Sequence, residues 1–253
     1  MAKSHKVRPA VIEDYADPNM VRSIVGIYRS ADPESLFYGE RWYVRAHAIA
    51  CNIALEARMP VSQAAGVIAA LSPAMSWSGA TKKQHDNISL AWAMVGLAAP
   101  DDNRKFNQTT ANLSKAAAIV RGADPECALR KNPQDENASL KTRNFFRLIN
   151  DPSSDNVCVD RHAVDIAMGA IGVHPNGPPP SRYKAFARAY IAAARILGVP
   201  ASQVQAVTWE AWRKAKLADA AANGEHIATS ERRRKTLAKK ATQSSLNRAP
   251  IAD

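Results

Sequence analysis

The chain is short of cysteine, of aromatic residues and of long apolar runs, and each shortage removes a class of protein. Its three cysteines (Cys51, Cys127 and Cys158) are odd in number, far apart and form no CxxC pair. That pattern argues against a disulfide framework, a zinc knuckle or a four-cysteine iron–sulfur cluster. A reducing, cytoplasmic setting suits it. No run of about 18 uncharged apolar residues occurs, so no membrane-spanning helix and no membrane partner are expected. The opening residues, MAKSHKVRPAVIEDYADP, are charged and lack an apolar core, so no secretion signal is expected either. Sustained alternation of apolar and polar residues is missing, which speaks against sheets. The six histidines show no metal-ligand spacing, and neither metal nor cofactor is expected.

Basic and apolar residues, by contrast, are plentiful. Hydrophobic residues make up 46% of the 253, enough for a packed core. The formal charge is +11, which favours a polyanionic partner because neutralised phosphates release their counterions. Residues 217–253 hold seven Lys/Arg against four Asp/Glu, a balance of +3, so about +8 belongs to residues 1–216.

Helical periodicity dominates. The run ESLFYGERWYVRAHAIACNIALEA places Leu36, Tyr43, Ala46, Ile49, Ala50 and Ile53 on one stripe. SQAAGVIAAL is a helix stopped by Ser72-Pro73. Further helices are expected over ATKKQHDNISLAWAMVGL, over ANLSKAAAIVRG with Gly122 as its cap, over LKTRNFFRLI, from Asp160, and over SRYKAFARAYIAAARILG and SQVQAVTWEAWRKAK. The fold class is therefore all-α, with about eight to ten helices. Residues 1–216 are the folded domain. Residues 217–253, rich in alanine, serine and charge, are a basic tail, flexible or marginally helical.

Two residues stand out in SLKTRNFFRLINDPSSDNVCVDRHAV. Either Asn137 or Ser139 can cap the helix that follows, leaving Lys141 in its first turn, where a cation opposes the helix dipole by a few tenths of a kcal/mol. Nineteen residues on, Val157, Cys158 and Val159 lead to Asp160, which caps the next helix and is thereby ordered and held ionised. A lysine and a carboxylate facing one cleft can do nucleophilic and electrostatic chemistry at an electrophilic carbon. Taken singly, a solvated lysine and an ordinary Asp cap are the commoner cases.

Lys141-Thr142-Arg143-Asn144 and Val159-Asp160-Arg161-His162, in this order and spacing, resemble the hairpin lysine and the VDTH-like turn of the helix-hairpin-helix DNA glycosylase superfamily. GVIAALSPAMSWSGATKK resembles an early helix and turn of the same family. Together these stretches span roughly residues 62–170. The glycines of the family hairpin fall on Asn137 and Ser139 here, and the place of a wedging glutamine holds Ala74. The chain thus looks like a divergent member, of bacteriophage type.

The resemblance implies a two-lobed helical domain that binds double-stranded DNA as a monomer, with the target nucleotide flipped into a pocket between the lobes. It implies an N-glycosylase acting on a damaged or modified base, with Asp160 supporting the sugar cation. In bifunctional members the lysine, here Lys141, attacks the sugar and forms a Schiff base. Asn137, Ser139, Arg143, Arg147 and His162 are the expected DNA contacts, and Trp77 is placed to stack on a base. Arg232, Arg233, Arg234, Lys235, Lys239 and Lys240 can track the backbone. Two other readings stay open: a non-catalytic basic helical DNA-binding protein, and an enzyme that modifies DNA bases on the same scaffold.

Overall fold

The computed structural model describes residues 16–75, 77, 86–96, 108–132, 134–174 and 177–222. Among these residues there are eleven α-helices and no strand, so the fold is all-α. The first six are α1 (Pro18–Arg29), α2 (Pro33–Glu40), α3 (Trp42–Ala57), α4 (Val61–Leu71), α5 (Asn87–Met94) and α6 (Thr110–Val120). Then come α7 (Pro125–Ala128), α8 (Leu140–Asn150), α9 (Arg161–Met168), α10 (Pro180–Leu197) and α11 (Ala201–Ala222).

Local chemistry sets most of these boundaries. Helices α1, α2, α5, α6, α7 and α9 each start behind an Asp or Thr whose side chain accepts a first-turn amide. Helix α10 stops at Gly198, whose φ of +70° is the left-handed geometry that costs glycine nothing. One expected helix is two. The stripe from Glu34 to Ala57 turns at Arg41 (φ −102°), which lets α2 leave the axis of α3 and lie on α11. At that crossing a Cβ on Gly39 would sit 2.4 Å from Val207 Cα, so only glycine allows the approach. Helix α11 in turn continues to Ala222, past the point where the tail was expected to begin. Of the stretch expected to be helical from Ala80, the described part holds α5 from Asn87; residues 78–85 lie outside the described ones, as do the basic residues 232–240.

The helices enclose two apolar cores. One gathers α1, α9, α10 and α11 around Ile24, Ile166, Phe186 and Tyr190, each with no exposed surface. Burying a side chain such as Phe186 stabilises by roughly 1.5–3 kcal/mol. The other gathers α3, α5, α6 and α8 around α4, whose residues from Ala64 to Leu71 are all buried. A helix apolar on every side belongs at a centre rather than a surface. A third, small cluster of Tyr43, Leu148, Cys158 and Ala206, with Trp42 and Phe145 against it, joins α3, α8 and α11 where the two cores meet.

Candidate functional site

The segment from Lys141 to Asp160 runs past that junction, to which it contributes Phe145, Leu148 and Cys158. After α8 the chain turns at Asp151–Ser154 and then runs extended through Val157, Cys158 and Val159, which are 2%, 6% and 0% exposed. Successive side chains of an extended chain point opposite ways. Val157 and Val159 accordingly enter the first core, while Cys158 enters the junction cluster.

A buried, non-helical backbone needs partners for its amides and carbonyls. Here one hydroxyl supplies several. Tyr183 Oη donates to the carbonyl of Val157 (2.8 Å) and accepts from the amide of Val159 (2.9 Å) and from Asn144 Nδ2 (3.2 Å). Asn144 Nδ2 also donates to the Val157 carbonyl at 3.2 Å. Arg147 steadies Asn144 by donating to its Oδ1 at 3.0 Å, and Glu126 of α7 accepts from Arg147 in turn. The segment that leads into Asp160 is thus held by α8 and α10, and Glu126 of α7 backs it only through Arg147.

Asp160 is half-buried, and its carboxylate accepts the amide of Ala163 at 2.8 Å, capping α9. Lys141 lies in the first turn of α8 with an exposed side chain, and its carbonyl accepts from the Cys158 thiol at 3.6 Å. Both charges act on that thiol. Burial pushes Cys158 up to about 12; the Lys141 ammonium pulls it down and the Asp160 carboxylate pushes it up again. Burial likewise raises Tyr43, Tyr183 and Tyr190, with the Asp160 charge adding to each. A buried thiol and a group of phenols, all protonated at neutral pH, thus lie within the field of the Asp160 charge, and the thiol also within that of Lys141.

The remaining expected contacts are dispersed. Arg143 is only 4% exposed: its Nε donates to Glu126 at 2.8 Å and its Nη1 to the Glu136 carbonyl at 2.6 Å. Arg147 Nη2 donates to the same Glu126 at 3.1 Å. Both arginines are thus engaged inside the protein, and a phosphate contact by Arg143 would first break its pair. Burial pushes the Glu126 carboxyl up, yet the bonds from Arg147 and Arg143 outweigh this and hold it below its ordinary value.

Ser139 does stand at the start of α8, but not as a side-chain cap. It adopts a left-handed backbone (φ 58°, ψ 28°), and its hydroxyl accepts the Lys131 amide at 3.0 Å instead. Asn137 is exposed on the preceding turn, its amide donating to Asp135 at 2.9 Å. Ala74, at the turn after α4, is also left-handed at φ 62°. Trp77 is half-buried against Trp42 (ring centroids 4.7 Å, tilted) and Phe145 (5.9 Å, edge to face), so its ring packs among aromatic neighbours. Phe145 is four residues after Lys141 on α8, which puts this aromatic group next to the lysine's side of the helix. The His162 ring meets Trp209 of α11 edge-on at 6.3 Å. Among the described residues no group of three or more His, Cys, Asp or Glu could hold a metal ion. No helix of the described residues is long and apolar enough to cross a membrane.

Residues 8–216 match the model of a family of unknown function, DUF7178. The chain belongs to that family. No curated protein and no solved structure matches it. The family span takes in both apolar cores and the whole Lys141–Asp160 segment, and it closes at Lys216.

Tyr183 and Glu126, which hold the segment in place, carry no motif, and Asn144, though inside the Lys141–Asn144 stretch, has no local partner that marks its role; their partners lie 13 to 39 positions away. The available signal was weaker: Val157–Val159 is apolar but belongs to no helix, and such a segment requires side-chain hydrogen bonds from elsewhere.

Proposed function

We propose that this chain is a DNA glycosylase-like enzyme that breaks the N-glycosidic bond of a damaged or modified base. What carries the reading is that Cys158 ties the two residues together: its thiol donates to the Lys141 carbonyl at 3.6 Å, it stands two residues before Asp160, and both charges act on it. A carboxylate fixed at a helix start, with its own backbone tightly bolted, is preorganised to face a developing positive charge. As the C1′–N bond breaks, its electron pair leaves with the base and the sugar becomes cationic. Asp160 offsets that charge, and water or an amine completes the carbon. In the lyase variant of this chemistry, neutral Lys141 Nζ adds to C1′ and forms a Schiff base, and elimination then cleaves the strand 3′ to the sugar. The exposed side chains of Lys131 and Asn137, before α8, and of Lys141, in its first turn, offer phosphate contacts beside the paired Arg143 and Arg147. The left-handed backbone at Ser139 supports the same reading, since the resemblance places a hairpin glycine there.

The test is incubation with oligonucleotide duplexes, each carrying one modified base, and mass spectrometry for the freed base. Asp160→Asn should cut release by orders of magnitude while duplex binding survives. Borohydride should trap a covalent adduct that Lys141→Gln abolishes. Binding without release from any duplex would favour the non-catalytic or base-modifying alternatives.

A further inference from the structure

Away from the Lys141–Asp160 site, α3 and α8 bring a second reactive pair together. Cys51 and His47 are four residues apart on α3, hence on one face of it. Cys51 Sγ lies 3.3 Å from His47 Nε2, and His47 Nδ1 lies 2.9 Å from the carbonyl oxygen of Ile149. Ile149 is in the last turn of α8, where carbonyls have no partner within the helix. A carbonyl oxygen only accepts, so Nδ1 must carry the proton. Nε2 is then the basic nitrogen, and it is the one aimed at the thiol. The ring is therefore seated at the C-terminal end of α8, the negative end of that helix. Nucleophile, base and a group that orients the base are all in place.

The other two cysteines are placed to be sluggish. Burial pushes Cys158 up to about 12. Cys127 is exposed, but a hydrogen bond to Asp124 and that carboxylate's charge raise its thiol. Cys51 is half-buried and has an imidazole where Cys127 has a carboxylate.

We propose that Cys51, with His47 as its base, is a nucleophilic thiol site that takes up small disulfides by exchange. The thiol proton passes to His47 Nε2, and the thiolate sulfur attacks one sulfur of the incoming disulfide. A new bond forms between Cys51 Sγ and that sulfur while the original S–S bond breaks. The departing thiolate recovers the proton from the imidazolium and leaves as a thiol, so no further oxidant is needed. This site is independent of the glycosylase reading and stands or falls without it.

The experiment treats the native full chain with limiting oxidised glutathione and maps the modified peptides over time by mass spectrometry. Cys51 should react roughly tenfold or more faster than Cys127, despite being the less exposed of the two. Equal rates, or a faster Cys127, would overturn the proposal without any variant being made. His47→Gln, checked for folding by circular dichroism, should slow Cys51 by about tenfold and leave Cys127 unchanged. A Cys51 rate unmoved or raised by that substitution would also overturn it.

Discussion

The hydroxyl of Tyr183 donates to the Val157 carbonyl at 2.8 Å, and through that bond α10 holds the backbone that carries Asp160. Since the same oxygen also accepts from the Val159 amide, Tyr183→Phe leaves that buried amide without a partner, while Asn144 and the Val157 carbonyl keep their bond to each other. Such a loss costs about 1–3 kcal/mol, partly relieved by relaxation. The variant should be destabilised by about 1–2 kcal/mol, read as a lower urea midpoint at unchanged slope. A shift below about 0.5 kcal/mol would mean the segment finds other partners.

Ser139 allows backbone strain to be weighed against a hydrogen bond. Its left-handed φ of 58° costs a residue with a side chain about 1 kcal/mol, whereas its hydroxyl gains the Lys131 amide. Ser139→Ala keeps the strain and loses the bond, so it should destabilise by about 1 kcal/mol. Ser139→Gly loses the bond and the strain together and should come out near neutral, within about 0.5 kcal/mol of the parent. Unfolding measurements on both variants give the strain as their difference. Identical losses in the two would show that the turn relaxes and no strain is stored.

What the sequence made legible, and what it did not, follows the reach of each interaction. Asp160 was readable as a cap because the amide it accepts belongs to Ala163, three residues on. Helix α4 was readable because eight consecutive buried positions leave no polar side to misplace. Arg143 and Arg147 looked like a basic outer face because they are one turn apart. The carboxylate that neutralises both, Glu126, lies 17 and 21 residues earlier on a four-residue helix, and no local pattern links them. The split between α2 and α3 was hidden for a similar reason: Gly39 answers to Val207, on a helix near the other end of the domain.

The Glu126 clamp gives a pH dependence with a definite sign. Its folded carboxyl sits below the ordinary 4.5, because the bonds from Arg147 and Arg143 outweigh burial. A lowered folded value contributes stability that is fully present above pH 4.5 and is lost as the pH falls through the folded value. The melting temperature should therefore drop as the solution is taken from neutral into the acid range below pH 4.5. Glu126→Gln should cost about 2 kcal/mol near neutral pH, less than a fully sealed pair because Glu126 remains partly in contact with water. It should also flatten the acid limb, so the two melting curves approach each other at low pH. Parallel curves would mean that other carboxylates set the acid response.

Asp160 has two separable duties, and its substitutions can tell them apart. As a cap it accepts the Ala163 amide, a task asparagine performs about as well as aspartate. As the proposed partner of a sugar cation it must carry a negative charge, which asparagine lacks. Asp160→Asn should therefore keep stability within about 0.5 kcal/mol of the parent, and Asp160→Ala should lose about 1 kcal/mol with the cap. Both should abolish base release from whichever duplex the parent processes. Urea unfolding and base release measured side by side separate the outcomes. If Asp160→Asn releases base at the parent rate while Asp160→Ala does not, the carboxylate serves α9 alone and the cation must be met by another group.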